Sequence, residues 1–454
     1  MNSTDVIISY WDWLLCPFYL LIILIVASRI KNKYIQVSPI YRYWLWGLFV
    51  KIFGAIALCL IYIYYYKEGG DTLHYHSSAI AFVNLLLQSP MSFLEILFTP
   101  STLENYSYFN QETGYPDFYF QQYEANVSKL LVLLELLSMK SYIITSILMA
   151  VVSYTGIWKL YQMFCEIYPK LYKQFAISVL FIPSVVFWGS GILKDSWTIA
   201  ACGWFCYSFY QLFIIRKRII FYSIAILLSA LVLILIKPYI FVAVMPGCLI
   251  WGAWNKIISI KNYILRILCI PFVLGLGIGS GVLLWSTISP NLGVYSSVDS
   301  MIAKASASSE DLKQEYYQGN SFDIGSYDKS VSGILSKFPI AVIAGLFRPY
   351  IWESKNIVMA FSGIENFIVL LFFFYIFIKN PLSSIKNLFV SPLALFSFIF
   401  AIFFAFSVAI STSNFGALVR LKIPLMPFFI SALFIIDRIR DGDGKVFFSK
   451  KKQL

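Results

Sequence analysis

Long apolar segments alternate with polar segments along most of the chain. A transmembrane helix needs about 20 predominantly apolar residues, with a range of roughly 17 to 25. The pattern therefore predicts an all-α fold, a polytopic transmembrane helical bundle of about 11 spans. The predicted spans are approximately residues 9–28, 44–65, 141–163, 175–192, 196–215, 219–236, 239–255, 266–286, 357–378, 388–410 and 421–436.

The first of two long connecting segments covers about residues 66–140. It opens with KEGGDTLHYH, continues through an apolar stretch at 78–98 and ends in a polar, tyrosine-rich stretch. Residues 78–98 are too apolar for a solvated loop, and Ser89-Pro90 interrupts them. The stretch therefore predicts two short helices that lie in or on the membrane interface.

The second long segment covers about residues 287–356. Its sequence predicts a helix around 299–317 and an interfacial or re-entrant apolar segment at 338–347. Turns are predicted at Gly319-Asn320, Gly325 and Gly333. Neither long segment has the length or the strand pattern of an independent soluble domain. We therefore predict one integral-membrane domain, residues 1–454, with a cytoplasmic tail at about 437–454.

The composition supports a membrane location. Hydrophobic residues make up 59% of the 454 residues and charged residues 13%, whereas soluble domains carry about 25% charged residues. The N-terminal MNSTDVIISYWDW has no basic region before its apolar stretch, so a cleavable signal peptide is not expected.

The distribution of basic residues predicts the orientation, because Lys and Arg are enriched in cytoplasmic loops. With the N-terminus outside, 22 of the 35 Lys and Arg residues and 4 of the 23 Asp and Glu residues lie on the cytoplasmic side. The net charges are then +18 inside and −6 outside, which sum to the overall +12. This predicts a protein of the cytoplasmic (inner) membrane whose basic character reflects its orientation and not nucleic-acid binding.

Ionisable residues collect at one end of the predicted spans, the outer end. Such residues are costly at a membrane border unless they meet a partner, a cavity or a ligand, so several on one face predict a functional site there. They are Asp71 with His74 and His76, Lys194 with Asp195, Lys237, Arg348 with Glu353, Glu365, and Arg420 with Lys422.

The EGGDTLHYH segment carries the first candidate chemistry. Its two glycines permit a sharp turn that brings Asp71 to the interface. Carboxylate and imidazole groups both accept protons and bind divalent metals, so Asp71 and His74 are candidate catalytic residues. Asp71, His74 and His76 are candidate ligands of a possible divalent metal. The alternative is an aspartate that caps the next helix, with the histidines at the headgroup level.

The PSVVFWGSGILKD segment contains the second group of candidate residues. Pro183 and the following glycines permit a kinked helix, and the backbone N–H groups at the start of the next helix suit an anion. Lys194 is a candidate phosphate ligand and Asp195 a candidate catalytic residue. The alternative is a simple hairpin with a solvated Lys194–Asp195 pair.

The remaining candidates are predicted to bind an anionic substrate: Lys237, Arg348, Glu353, Arg420 and Lys422. Arginine can grip a phosphate with two donors, although an arginine at a helix end can also extend to the membrane surface as an anchor. The candidate site thus combines basic side chains that can bind a polyanion with carboxylates that can act as acid or base. This combination indicates a substrate linked to a lipid phosphate.

These motifs resemble those of multi-span envelope glycosyltransferases of the GT-C type and of O-antigen or surface-polysaccharide polymerases. The resemblance lies in the Asp of EGGDTLHYH, the interfacial segments after it, the PSVVFWGSGILKD turn and the RLKIP element. It implies that Asp71 acts as general base or orients the acceptor, and that Arg348 and Arg420 hold a lipid pyrophosphate. One feature departs from the GT-C pattern, which usually begins inside and reaches its acidic loop after one span. Here a first span with its N-terminus outside precedes the acidic loop.

The resemblance further implies a polyprenyl-phosphate-linked saccharide as substrate, with membrane lipids and other envelope polysaccharide assembly proteins as partners. A transporter or flippase for a lipid-linked or soluble anion is the alternative, because proline-broken helices also suit alternating access. A third class, a scaffold for envelope assembly, predicts no dependence on Asp71.

Overall fold

The structure is a computed structural model that describes residues 8–66, 70–260, 298–312, 321–325, 330–355 and 357–438, with isolated positions between 265 and 275 and at 328. Across these residues the regular elements are helices, and one isolated antiparallel bridge joins Ser321 to Asn414. The predicted all-helical fold is confirmed.

Seven helices in the described part of the chain are long and apolar enough to cross a membrane. They are Tyr10–Tyr34, Pro39–Tyr65, Tyr142–Ile167, Lys194–Ile215, Ile219–Ile236, Met359–Lys379 and Pro392–Ser411. The pair Phe415–Leu421 and Met426–Arg438, bent by 66°, forms an eighth if it is one span. These helices indicate a multi-pass membrane protein. The count of eleven and the orientation stay predictions.

The other described helices are shorter or less apolar. They are Asp71–Gln88, Pro90–Phe98, Leu103–Tyr106, Gln122–Leu137, Tyr172–Phe175, Pro183–Trp188, Pro238–Ile258, Val298–Asp311, Val331–Ser336, Phe338–Phe347 and Pro381–Val390. Short 3₁₀ turns lie at Pro39–Tyr43, Pro169–Leu171 and Ile351–Glu353, and π turns at Ile61–Tyr65, Ala176–Leu180 and Tyr210–Ile215.

Proline explains where many of these helices begin. It lacks a backbone N–H and has a fixed φ, which suits the first helical position and disfavours later ones. Seven helical elements of the described chain begin at a proline: Pro39, Pro90, Pro169, Pro183, Pro238, Pro381 and Pro392.

Two predicted spans are interrupted in the structure, and a third lies almost entirely outside the described part of the chain. The predicted span 175–192 is not one helix, because its first part ends in the π turn Ala176–Leu180 and Pro183 begins a new helix. The predicted span 421–436 is preceded by the separate, bent Phe415–Leu421 helix. The predicted span 266–286 lies almost entirely outside the described residues.

The first long connecting segment is more helical than expected. The break at Ser89 is confirmed, with helices Asp71–Gln88 and Pro90–Phe98 on either side. The prediction missed the Gln122–Leu137 helix in the polar, tyrosine-rich stretch. Its apolar positions repeat at helical spacing and pack on Asp71–Gln88 in one buried cluster, which includes Leu73, Ala79, Val127, Leu131 and Leu134.

In the second long segment, the Phe338–Phe347 helix confirms the short apolar element, and Val298–Asp311 confirms the first part of the 299–317 helix. Gly325 has a φ of 82°, as a turn glycine can. The turn predicted at Gly333 is wrong, because this residue lies in the Val331–Ser336 helix. The turn predicted at 319–320 lies outside the described residues.

The chain divides into two compact units, and the prediction of a single domain stays a prediction. Unit 1 comprises Met1–Gln162, Val185–Phe205 and Ala225–Lys237. Unit 2 comprises Met163–Ser184, Cys206–Ile224 and Pro238–Leu454.

Close backbone packing fixes the position of the Lys194–Phe209 helix within unit 1. A Cβ atom added to Gly156 would lie 2.0 Å from the Ala200 carbonyl oxygen, and one added to Gly203 would lie 2.1 Å from the Gly156 carbonyl oxygen. Small residues permit such direct contact between membrane helices. These contacts hold the middle of this helix, at Ala200 and Gly203, against the Tyr142–Ile167 helix.

Candidate functional site

The candidate residues form two groups, one in each unit. Unit 1 contains Asp71, His74, His76, Lys194, Asp195 and Lys237, and unit 2 contains Arg348, Glu353, Glu365, Arg420 and Lys422. The contacts within each group show which side chains are buried in ion pairs or hydrogen bonds and which are partly exposed.

Asp71 is the first residue of the Asp71–Gln88 helix and is partly exposed. An acidic side chain is favourable there, because the helix dipole is positive at its N-terminus. Gly70 precedes it in an extended conformation, and a Cβ atom at Gly70 would lie only 2.4 Å from the Tyr62 ring. The close approach of this ring explains why the residue before Asp71 is a glycine.

Lys194 lies beside two carboxylates. It begins the Lys194–Phe209 helix and forms an ion pair with Glu124, in the first turn of Gln122–Leu137. Its side chain is 15% exposed and that of Glu124 is 26% exposed. Asp71 also interacts electrostatically with Lys194. The starts of three helices thus bring together one lysine and two partly accessible carboxylates, here named the helix-start cluster: Asp71, Glu124 and Lys194.

Asp195 and Lys237 form a buried ion pair next to this cluster. The Lys237 ammonium donates to Asp195 Oδ1 at 2.5 Å, and the side chains are 7% and 0% exposed. Lys194 and Asp195 therefore have different partners, and the solvated Lys194–Asp195 pair considered from the sequence does not form. Because a buried pair is well shielded from solvent, Asp195 and Lys237 are suited to hold the start of the Lys194 helix in place.

The two histidines face different partners. His74 Nδ1 lies 2.9 Å from Asp117 Oδ2, whereas His76 Nδ1 is buried and lies 2.7 Å from Glu135 Oε1. Residues two apart on a helix are about 200° apart around its axis, so these rings diverge. The DxxHxH segment does not gather its side chains at one point. Among the described residues, no group of three His, Cys, Asp or Glu side chains could hold a metal ion.

In unit 2, two of the three guanidinium nitrogens of Arg348 are bound to Glu353. Arg348 Nε donates to Glu353 Oε1 at 3.0 Å and Oε2 at 3.2 Å, and Nη2 also contacts this carboxylate. The guanidinium carbon lies 5.0 Å from the Phe322 ring centroid and 5.2 Å from that of Phe415. The phosphate grip predicted for Arg348 would require exchange with Glu353.

Lys422 is fully buried and its ammonium has three acceptors. It donates to Asn366 Oδ1 at 2.6 Å, to the Arg348 carbonyl at 2.9 Å and to the Leu346 carbonyl at 3.3 Å. An ammonium has three donors, so these contacts saturate it. Arg420 is partly buried in the last turn of Phe415–Leu421.

Glu365 binds the start of the Pro183–Trp188 helix, after the helix break between Leu180 and Pro183. Its carboxylate accepts hydrogen bonds from the Ser184 backbone N–H at 2.8 Å and the Ser184 hydroxyl at 2.6 Å. Ser184 lies in the first turn of Pro183–Trp188, where backbone N–H groups have no partner within the helix. Glu365 therefore caps the helix that follows the break, and it also interacts electrostatically with Lys422.

Sequence reasoning missed Glu124 and the role of Lys51. Lys51 is 1% exposed and donates to the carbonyls of Val185 at 3.1 Å and Gly189 at 2.6 Å. It caps the C-terminal end of Pro183–Trp188. A lysine inside the apolar GLFVKIFGAI was the available signal. Glu124 had a weaker one, as an acid just before a helical apolar repeat.

Gly70→Ala should displace Asp71, because the added methyl group meets the buried Tyr62 ring. Overpacking of this kind typically costs about 1 to 3 kcal/mol. We expect a lower midpoint of thermal unfolding in detergent. The double variant Gly70→Ala with Tyr62→Leu should recover most of the loss, since a smaller side chain leaves room. A single variant as stable as the parent would show that the ring does not constrain this turn.

Arg348→Lys should lower the free energy of unfolding by about 1 to 3 kcal/mol, because it removes the paired bonds to Glu353 and the contacts with two aromatic rings. Glu353→Gln should have a similar effect, and the double variant should lose less than the sum. The exposed Arg29→Lys serves as control. Unchanged unfolding with a large loss of substrate turnover would instead assign Arg348 to the substrate.

No family model, curated protein or solved structure matches this chain. The similarity to envelope glycosyltransferases thus rests on the short motifs quoted above.

Proposed function

We propose that the protein is an integral-membrane glycosyltransferase or polysaccharide polymerase that acts on a polyprenyl-(di)phosphate-linked saccharide. The proposed location is the outer, periplasmic face of the cytoplasmic membrane, in cell-surface polysaccharide assembly. The helix-start cluster is the observation that carries this proposal. It combines a partly exposed carboxylate, Asp71, with a lysine that can bind a phosphate.

The cluster is favoured over the cations of unit 2 because it places a second carboxylate, Asp71, beside the Lys194–Glu124 ion pair. Arg348 is paired with Glu353, and Lys422 is buried with three acceptors. In the helix-start cluster, the lysine has its ion-pair partner Glu124 and, beside it, the partly exposed carboxylate of Asp71. Backbone N–H groups at the starts of the Asp71–Gln88 and Lys194–Phe209 helices add positive potential that favours an anion.

Each residue then has a distinct role in transfer. Asp71 takes the proton of the acceptor hydroxyl as its oxygen attacks the anomeric carbon of the donor sugar. The bond from that carbon to the phosphate oxygen breaks, and the lipid phosphate leaves with the bonding electrons. Lys194 donates to the departing phosphate, and the proton on Asp71 returns to solvent. Such charge stabilisation is usually the largest catalytic term.

Glu124 and the Asp195–Lys237 pair position the lysine. Glu124 holds the Lys194 ammonium before substrate binds, and the phosphate takes over this contact. Asp195 and Lys237 fix the first turn of the helix that carries Lys194. Arg348 and Arg420 stay predicted contacts of the lipid pyrophosphate.

The proposal is tested with purified protein and a polyprenyl-diphosphate-linked saccharide. Consumption of this donor with release of the lipid phosphate and growth of an acceptor glycan is the expected result. Protein that is folded in detergent but leaves the donor unchanged, across acceptors of different sugar composition, would argue against glycosyl transfer.

A transporter or flippase is the second candidate function. The helix break between Leu180 and Pro183, the Glu365 cap and the 66° bend beside Lys422 are features that suit alternating access. Proteoliposomes separate the two functions. A flippase moves a labelled lipid-linked saccharide across the bilayer with its phosphate linkage intact, whereas a transferase breaks that linkage.

A further inference from the structure

A polar cavity lies in unit 2, and none of its lining residues has a role in the site described above. Its volume is about 640 Å³, and its lining includes Glu166, Gln211, Tyr207, Tyr222, Lys217 and Arg218. We propose that this cavity, here named the Glu166 pocket, binds a phosphate that carries an attached ammonium, the headgroup of a phosphatidylethanolamine from the bilayer. This inference does not depend on the proposed function.

The position of the pocket places it at headgroup depth. The lining comes from the C-terminal part of Lys194–Ile215, the connector that follows it and the start of Ile219–Ile236. Glu166 lies near the end of a third candidate span, Tyr142–Ile167. Because apolar helices end where the hydrocarbon core ends, residues at these termini lie in the interfacial region whichever way the protein is oriented.

The rim of the pocket suits a phosphate. Lys217 and Arg218 are both exposed and lie in the connector just after the apolar helix, which ends at Ile215. Basic side chains between membrane helices bind lipid phosphates, and arginine can do so with two donors. Arg218 has a φ of 46°, in the left-handed region, so the connector turns sharply at this point.

The Glu166 carboxylate suits an ammonium. The Tyr207 hydroxyl donates to Glu166 Oε1 and Gln211 Nε2 donates to Glu166 Oε2, each at 2.9 Å. These bonds hold the carboxylate in one orientation. The Tyr207 and Tyr222 rings meet at 70° with centroids 5.8 Å apart and form an aromatic corner. Aromatic faces beside a carboxylate favour an organic cation.

The surroundings favour a lipid over a soluble ligand. Phe213, Ile219, Ile220 and Phe221 neighbour the lining residues in sequence and are 53%, 58%, 79% and 54% exposed. Such exposed apolar side chains next to a headgroup site can contact acyl chains. Two cations and one carboxylate at the pocket thus match the phosphate and the amine of one zwitterionic lipid.

Native mass spectrometry of the full-length protein in mixed micelles tests this assignment with two lipids of equal chain length. Dioleoyl-phosphatidylethanolamine should bind at least about 10-fold more tightly than dioleoyl-phosphatidylglycerol, the effect of one charge-assisted contact. Glu166→Gln should reduce this preference to less than about 3-fold, because an amide does not neutralise an ammonium.

Two further variants separate the phosphate contact from general charge effects. Lys217→Gln with Arg218→Asn should weaken both lipids by about 10-fold or more, and asparagine tolerates the left-handed backbone at 218. Lys31→Gln with Lys33→Gln, at the end of another candidate span, should change neither lipid. Equal unfolding midpoints without added lipid establish that all variants are folded.

Two results would overturn the proposal. One is equal binding of the two lipids by the parent protein, and the other is an unchanged preference in Glu166→Gln. Soluble glycerophosphoethanolamine separates the possible sources of the headgroup. It should compete only weakly, because it lacks acyl chains, and competition as strong as that of the lipid would assign the pocket to a soluble phosphate ester.

Discussion

Asp71→Asn should reduce glycan transfer by about 10²- to 10⁴-fold, the range typical of a lost general base. Asparagine has nearly the same shape as aspartate but cannot take a proton from the acceptor hydroxyl. Folding should change little, because an acidic side chain at a helix start contributes only about 0.3 to 1 kcal/mol. Turnover of the lipid-linked donor should therefore fall in protein whose thermal unfolding is close to that of the parent.

Asp117→Asn is the matched control for this experiment. Asp117 is also a carboxylate of unit 1 and contacts the Asp71–Gln88 helix through His74 and Ser77. This variant should keep its turnover within a few-fold of the parent. Full activity in Asp71→Asn, or an equal loss in both variants, would contradict the role of Asp71 as base.

Removing one member of the buried Asp195–Lys237 pair should destabilise the protein by about 3 to 5 kcal/mol, because the other charge is left buried without its partner. Lys237→Met and Asp195→Asn should each show this loss. The double variant should recover most of it, since neither site then carries a charge. Unfolding in detergent at matched protein and detergent concentrations provides the four values of this double-mutant cycle.

Turnover by the double variant distinguishes a positioning role of Asp195 from the catalytic role predicted for it. A pair that only holds the helix start should leave turnover within about 10-fold of the parent once folding is restored. A stable double variant as inactive as Asp71→Asn would place Asp195 in the chemistry. Additive losses in the two single variants would show that the side chains do not depend on each other.

The helical fold was predictable because apolar segments of membrane length have few alternatives. Backbone groups in a bilayer must bond within their own segment, so long apolar runs such as Pro392–Ser411 become helices. The helix break at Ser89 was also visible, since proline restricts itself and the residue before it. At Pro183 the sequence predicted a kink within one span, and the structure has a break between two helices. The Gln122–Leu137 helix was missed because its amphipathic repeat lies within polar, tyrosine-rich sequence.

Asp71 was predictable as a residue at a helix start, because the two glycines before it mark a turn and an acid favours a helix N-terminus. Its proximity to Lys194 was not, since these residues are far apart in sequence and only packing brings their helices together. The metal site suggested by the spacing of Asp71, His74 and His76 did not form, because helical geometry turns the two histidines away from each other.

The amino-acid sequence by itself thus determined the all-helical membrane character of this protein, the helix break at Ser89 and the kinds of ionisable residue available for chemistry. These properties depend on local composition and on backbone geometry. Only the tertiary structure decided which charge meets which: Glu124 with Lys194, Asp195 with Lys237, Glu353 with Arg348. Whether a charged side chain is saturated or open to a ligand depends on atoms from distant segments, and the accessibility of Asp71 follows from that packing.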